Sequence, residues 1–158
     1  MVTGAVVRPS PDEASVRGIL AGVADPEIPS VSIVDLGMVE RVEVGPDGIE
    51  VELLPTFVGC HAQEFIRAAV IEALAPLGRP ATVGFSFRVP WTSDRITDAG
   101  RAGLVRAGFA PPAEPGGVRC PHCGSGRVAM DSLFGPTQCR SLFYCRECRQ
   151  PFEAFKPV

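Results

Sequence analysis

Four cysteines near the C-terminus constrain this chain more than any other feature. They stand as two Cys-x-x-Cys turns, Cys120-Pro121-His122-Cys123 and Cys145-Arg146-Glu147-Cys148, with 21 residues between them. Each turn puts two sulfurs on one side of a tight loop, and two such turns present four thiolates tetrahedrally. So short a segment cannot bury enough core to fold alone, so metal ligation is what lets it fold. Gly124 relaxes the backbone after the first pair, and the intervening residues fit two short strands, roughly 127–134 and 141–144. The tail therefore reads as a zinc ribbon with structural zinc on Cys120, Cys123, Cys145 and Cys148. A rubredoxin-like iron site is the alternative, because ligand softness does not separate the two metals.

Two further residues of the tail belong to this reading. Cys139 lies between the pairs and is not needed for a four-thiolate site. It reads as a small buried residue of the ribbon core, with an alternative ligand or reactive thiol as the sharper reading. His122 reads as an exposed loop residue. Phe134, Phe143, Tyr144, Phe152 and Phe155 are dense for so short a segment, and those not packed under the metal suit a protein partner.

Charge divides along the chain. Residues 1–118 carry nine basic and fifteen acidic side chains, and residues 119–158 carry six basic and three acidic. A zinc ion on four thiolates adds −2 to the tail, leaving about +1, which argues against nucleic acid as the partner. No apolar run approaches the ~20 residues that span a bilayer. The first ten residues, Met1 to Ser10, lack the basic start and apolar stretch of a signal peptide, so a cytoplasmic location is expected. In a reducing compartment the six cysteines read as ligands or reactive thiols rather than disulfides.

Ahead of the tail, residues 11–24 read as a helix with Ser10 as N-cap and Val16, Ile19, Leu20 and Val23 on one face. An ordered loop follows, with a short extended piece around Ile33 and Val34. Strands over 38–44 and 49–54 flank the turn Gly45-Pro46-Asp47-Gly48. The strongest helix spans 60–75, a third strand 81–89, and a more polar helix 93–107, capped by Ser93 or Asp94. Pro111, Pro112, Pro115, Gly116 and Gly117 make a semi-rigid linker. The expected architecture is α+β: a small three-stranded sheet with packed helices over 1–108, a linker over 109–118, and a zinc ribbon over 119–158.

Cys60 opens the strongest helix, where unpaired amides and the helix dipole lower a thiol pKa. It is a candidate ligand for iron or a cluster, or a redox thiol; a small helix-start residue is the alternative. Asp25, Glu27 and Asp35 can converge on the same end of the sheet with Thr56, although Asp25 and Asp35 read first as turn caps. No phosphate loop or Ser-His-Asp context is present, so activity by the chain alone is not expected.

Longer motifs carry a resemblance. Asp25-Pro26-Glu27-Ile28-Pro29, Ile33-Val34-Asp35-Leu36-Gly37-Met38-Val39 and Leu54-Pro55-Thr56-Phe57-Val58-Gly59-Cys60-His61-Ala62 resemble the MIP18 (DUF59) domain of iron–sulfur cluster assembly factors. With Pro90-Trp91-Thr92-Ser93-Asp94-Arg95-Ile96-Thr97 and Ser132-Leu133-Phe134-Gly135-Pro136-Thr137-Gln138-Cys139, the chain resembles the PaaD (PaaJ) family of the bacterial phenylacetyl-CoA epoxidase system throughout its length. The resemblance implies an accessory component of the multicomponent monooxygenase that converts phenylacetyl-CoA to its ring 1,2-epoxide in phenylacetate catabolism. It implies metal or iron–sulfur maturation of a partner, the iron–sulfur reductase or the di-iron oxygenase, with a non-catalytic structural or docking component as the alternative. Cys60 matches the motif cysteine of the family, and His61 stands where many related domains have proline.

Overall fold

The computed structural model describes residues 11–158. Helix α1, Glu13–Leu20, is capped by Asp12, whose carboxylate accepts from the Ser15 amide at 2.8 Å. Ser10, expected as the cap, lies outside the described residues. Val16 and Leu20 are fully buried, as their spacing of four on one helix face requires. A small antiparallel pair follows, β1 (Ala24–Asp25) and β2 (Ile28–Ser32). The extended piece expected around Ile33 and Val34 thus falls earlier. Ser32 Oγ accepts from the Asp35 amide at 3.0 Å, and this local turn competes with extension. Gly37 completes it at φ 67°, where a Cβ would collide with the Arg95 backbone.

Strands β3 (Val39–Gly45) and β4 (Gly48–Leu53) form the expected hairpin, and β5 (Ala81–Phe85) pairs parallel to β4. Helix α2, Gln63–Leu74, makes the crossover and buries Ile66, Val70 and Leu74. It starts three residues later than the sequence suggests. Gly59 sits at φ 80°, and the Cys60 amide donates to the Phe57 carbonyl at 3.2 Å, so Cys60 lies in a turn before the helix. Strand β5 also ends at Phe85, short of the expected Val89.

Trp91 closes the first unit by donating its indole N–H to the Leu36 carbonyl at 2.8 Å. A 3-10 turn at Ser93–Arg95 precedes helix α3, Asp98–Arg106, whose cap is Thr97 rather than Ser93 or Asp94. Gly100 and Gly103 let α3 lie against the Asp35 carbonyl and Val31.

The tail is a four-stranded sheet, larger than the expected hairpin. Strands β6 (Phe109–Ala110), β7 (Val128–Ser132), β8 (Arg140–Cys145) and β9 (Pro151–Phe155) lie in the order β6-β9-β8-β7. The stretch 109–118, read as a linker, thus begins as a strand paired parallel to β9. Strand β9 has two differently occupied faces, because successive side chains alternate. Phe152 and Ala154 join the ribbon core with Phe143, Cys120 and Cys145, while Phe155 joins the core of the first unit. The ribbon is consequently packed onto the α+β unit.

Candidate metal centre and the cleft beside it

The two Cys-x-x-Cys turns meet. Cys120 Sγ lies 3.6 Å from Cys148 Sγ, and Cys123 Sγ lies 3.6 Å from Cys145 Sγ. All four sulfurs fall within 4.8 Å of one another. Sulfurs placed tetrahedrally around zinc at ~2.3 Å stand roughly 3.8 Å apart, so the cage has the size of a tetrathiolate metal site. It is far too wide for a disulfide, whose sulfurs are ~2.05 Å apart. Amide N–H groups of Cys148 and Glu147 bring the Cys145 thiol down to about 7. Burial, reinforced by the neighbouring Cys120, pushes the Cys148 thiol up to about 12. Thiols so crowded need a cation to ionise together, which is the chemistry of a metal-binding arrangement. His122 is exposed, stays outside the cage, and sets its ring edge-on to Phe152 at 6.5 Å.

A second group of residues gathers where the ribbon meets the first unit. A cleft of about 270 Å³ is walled on one side by Phe57, Cys60 and His61, and on the other by Phe134, Thr137 and Cys139. Cys60 and Cys139 are both half-buried, and both pack against the first unit's core. Cys139 therefore sits outside the ribbon core assigned to it from sequence. Thr137 Oγ1 lies 3.2 Å from Cys139 Sγ. Burial pushes the Cys60 thiol up, against the pull of the Ala62 amide, and the negative potentials of Cys139, Glu27 and Asp25 push the same way. The expected lowering by a helix start is thus overturned. The helix begins beyond Cys60, and desolvation outweighs the amide.

Arg140 ties the two units together. Its guanidinium donates to Glu27 at 2.8 Å in the first unit and to Glu153 at 2.9 Å on β9. It lies over the Phe109 ring at 4.7 Å from the centroid, and only 7% of its side chain is exposed. Burial opposes its charge, but Glu153, Cys139 and Glu27 outweigh that and hold its pKa above the ordinary value. Glu27 also faces His61, at 3.3 Å between Oε1 and Nε2.

The other carboxylates are turn-builders. Asp25 accepts from the amides of Glu27 at 2.8 Å and Ile28 at 3.0 Å, and burial raises its pKa. It thereby holds Glu27 toward Arg140. Asp35 does not reach the cleft: it accepts from Ser32 Oγ at 2.9 Å and from Thr97 Oγ1 at 2.8 Å. Thr56 is partly buried in the loop leading to Cys60 and is absent from the cleft wall. Arg140 and the Glu27 contact escaped the sequence reading. The one signal was a charged residue opening an apolar strand beside Cys139. Among the described residues, no helix is long and apolar enough to cross a membrane.

Comparison with known proteins follows the same two-part division. Residues 13–84 match a family described as an iron–sulfur cluster assembly protein, and residues 107–156 match the PaaD zinc beta ribbon domain. The crystal structure of a DUF59 domain from Bacillus anthracis superposes with a TM-score of 0.54 at 26% identity, over 58% of this chain and 90% of that one. An "Fe-S protein maturation auxiliary factor" of Porphyromonas gingivalis (strain ATCC BAA-308 / W83) is 31% identical over 54% of this chain and 84% of its own. One component of the "Putative 1,2-phenylacetyl-CoA epoxidase" of Escherichia coli (strain K12) is 37% identical over 94% of each chain. With both halves matched and one relative aligned nearly end to end, the chain belongs to the PaaD family of 1,2-phenylacetyl-CoA epoxidase components.

Proposed function

We propose that this chain is an accessory component of a phenylacetyl-CoA ring 1,2-epoxidase system, and that it matures the metal or iron–sulfur centre of a partner protein in the cytoplasm. The carrying observation is the position of Cys60. Cys60, which matches the motif cysteine of the family the chain resembles, is half-buried and lines a cleft between the assembly unit and the ribbon. In this reading Cys60 takes iron or a cluster as cargo, and Cys120, Cys123, Cys145 and Cys148 hold zinc that folds the ribbon. The cargo brings the redox-active metal. The protein contributes a thiolate, shelters it from water, and holds the surrounding walls in register through Arg140, Glu27 and Glu153. The iron–sulfur reductase is the preferred client and the di-iron oxygenase the other.

The test is the cluster content of the reductase purified from a host that expresses the pathway with Cys60→Ala in this chain. The expected result is a reductase depleted of iron and sulfide. A reductase fully loaded beside that variant would end the maturation role.

A docking role has its own support. Phe134 is 77% exposed, and Leu133 and Met130 are exposed beside it on the ribbon. Large apolar groups left in water suit a protein partner. A stoichiometric complex with the oxygenase that persists in Cys60→Ala, with every metal centre loaded, would favour this second reading.

A further inference from the structure

Cys139 has no duty in the four-thiolate cage and no place in the ribbon core. It faces the same cleft as Cys60, although 78 residues separate the two in sequence. Both sulfur-bearing residues rest on the same core, one from each unit. The Arg140–Glu27 contact at 2.8 Å, one residue from Cys139, pins the ribbon wall to the Cys60 wall. Thr137 Oγ1, at 3.2 Å, orients the Cys139 sulfur. Arg140, held between Glu27 and Glu153, also places its guanidinium within electrostatic reach of the Cys139 thiol.

We propose that Cys60 and Cys139 form a single two-thiol site, shared between the assembly unit and the ribbon, that holds the thiophilic cargo. This rests on the maturation reading and deepens it. The ribbon then supplies half of the cargo site besides any docking surface. Two thiolates leave the remaining coordination positions to an outside ligand, so the cargo is exchangeable. Four thiolates in a closed cage leave none, so the ribbon metal stays.

A trivalent arsenical tests the pair directly. Phenylarsine oxide joins two thiols: the arsenic–oxygen bond breaks, two arsenic–sulfur bonds form, and both thiol protons leave with the oxygen as water. No oxidation state changes. The full chain, loaded with zinc, is titrated with the reagent and followed by intact mass, zinc content and alkylation of the remaining thiols. The expected result is one equivalent bound with zinc retained, and both Cys60 and Cys139 protected from alkylation in the unaltered chain. Cys60→Ser and Cys139→Ser should each weaken binding by roughly 100-fold or more, because the second bond forms within the molecule. Binding that survives Cys139→Ser, or protection that leaves Cys139 free to alkylate, would overturn the pair. So would uptake that expels zinc and ignores both substitutions.

The protection pattern needs no variant, so a variant that fails to fold does not blunt the test. Failure here is distinct from failure of the maturation role. If Cys60→Ala empties the reductase while Cys139→Ser does not, the role stands and the pair falls. If both thiols bind arsenic and the reductase stays loaded without them, the pair stands and the role falls.

Discussion

The cage and the cleft hold the same side chain in opposite settings. In the cage, four sulfurs converge within 4.8 Å, and two of the four residues are buried. In the cleft, two half-buried thiols face a space of about 270 Å³. The cage is built by the ribbon alone, from turns that carry their own geometry. The cleft is built by two units and exists only while they stay docked. The cage is local, with its four sulfurs drawn together by two short turns, whereas the cleft is open and assembled from segments distant in sequence.

The largest effect should come from emptying the cage. Chelating the metal, or replacing Cys145 with Ala, should erase the dispersed NMR signals of β7, β8 and β9 and leave those of the α+β unit. Cys139 should then alkylate freely, since its wall of the cleft dissolves with the sheet. If the ribbon signals persist without metal, the cage is not what holds the tail, and the contrast with the cleft collapses.

Arg140→Met should come next. It leaves Glu27 and Glu153 facing a buried apolar group, and breaking such a pair costs about 2–4 kcal/mol where the carboxylates keep some water. Urea denaturation reads the loss, and faster alkylation of Cys60 and Cys139 at unchanged metal content reads the loosened cleft. Unchanged stability together with unchanged thiol access would show that Arg140 does not hold the units in register.

Cys60→Ser and Cys139→Ser should be nearly silent for folding, each within about 1 kcal/mol, because neither thiol is fully buried. A loss of several kcal/mol from either would make the cleft structural and erase its difference from the cage.

The smallest effect belongs to a control outside both sites. Arg88, with help from Ser86 and Arg41, lowers the Glu52 carboxyl from 4.5 to about 2. A depressed folded-state pKa contributes stability that is present above the unfolded value and lost as pH falls through the folded one. Glu52→Gln should flatten the acid limb of a stability profile between about pH 4.5 and 2. Metal content and thiol access should not move. An acid limb identical to that of the parent chain would show that the ion pair carries no weight in solution.

The two sites also differ in how far they could be read from the chain. The cage was legible because a Cys-x-x-Cys turn sets its own sulfur spacing within four residues. The β3–β4 hairpin was legible for the same reason, through Gly45-Pro46-Asp47-Gly48 and the alternation that follows. The cleft was legible only in fragments. Cys60 stood out by its motif, but its placement at a helix start misjudged the thiol, because the turn after Gly59 delays the helix and burial then dominates. Asp35 looked like a companion of Cys60 and instead braces α3 through Thr97. Strand β9 was missed because its apolar residues serve two cores, and no single-face alternation shows that.

Sequence by itself determined the four ribbon ligand candidates and the helical and hairpin elements. These rest on spacings of two to four residues, which backbone geometry converts directly into proximity. Tertiary structure alone decided that Phe155 anchors the ribbon to the first core, that Arg140 reaches Glu27, and that Cys139 and Cys60 line one cleft. Those contacts join segments dozens of residues apart, and their energies depend on how far packing removes each group from water. No local spacing encodes that quantity.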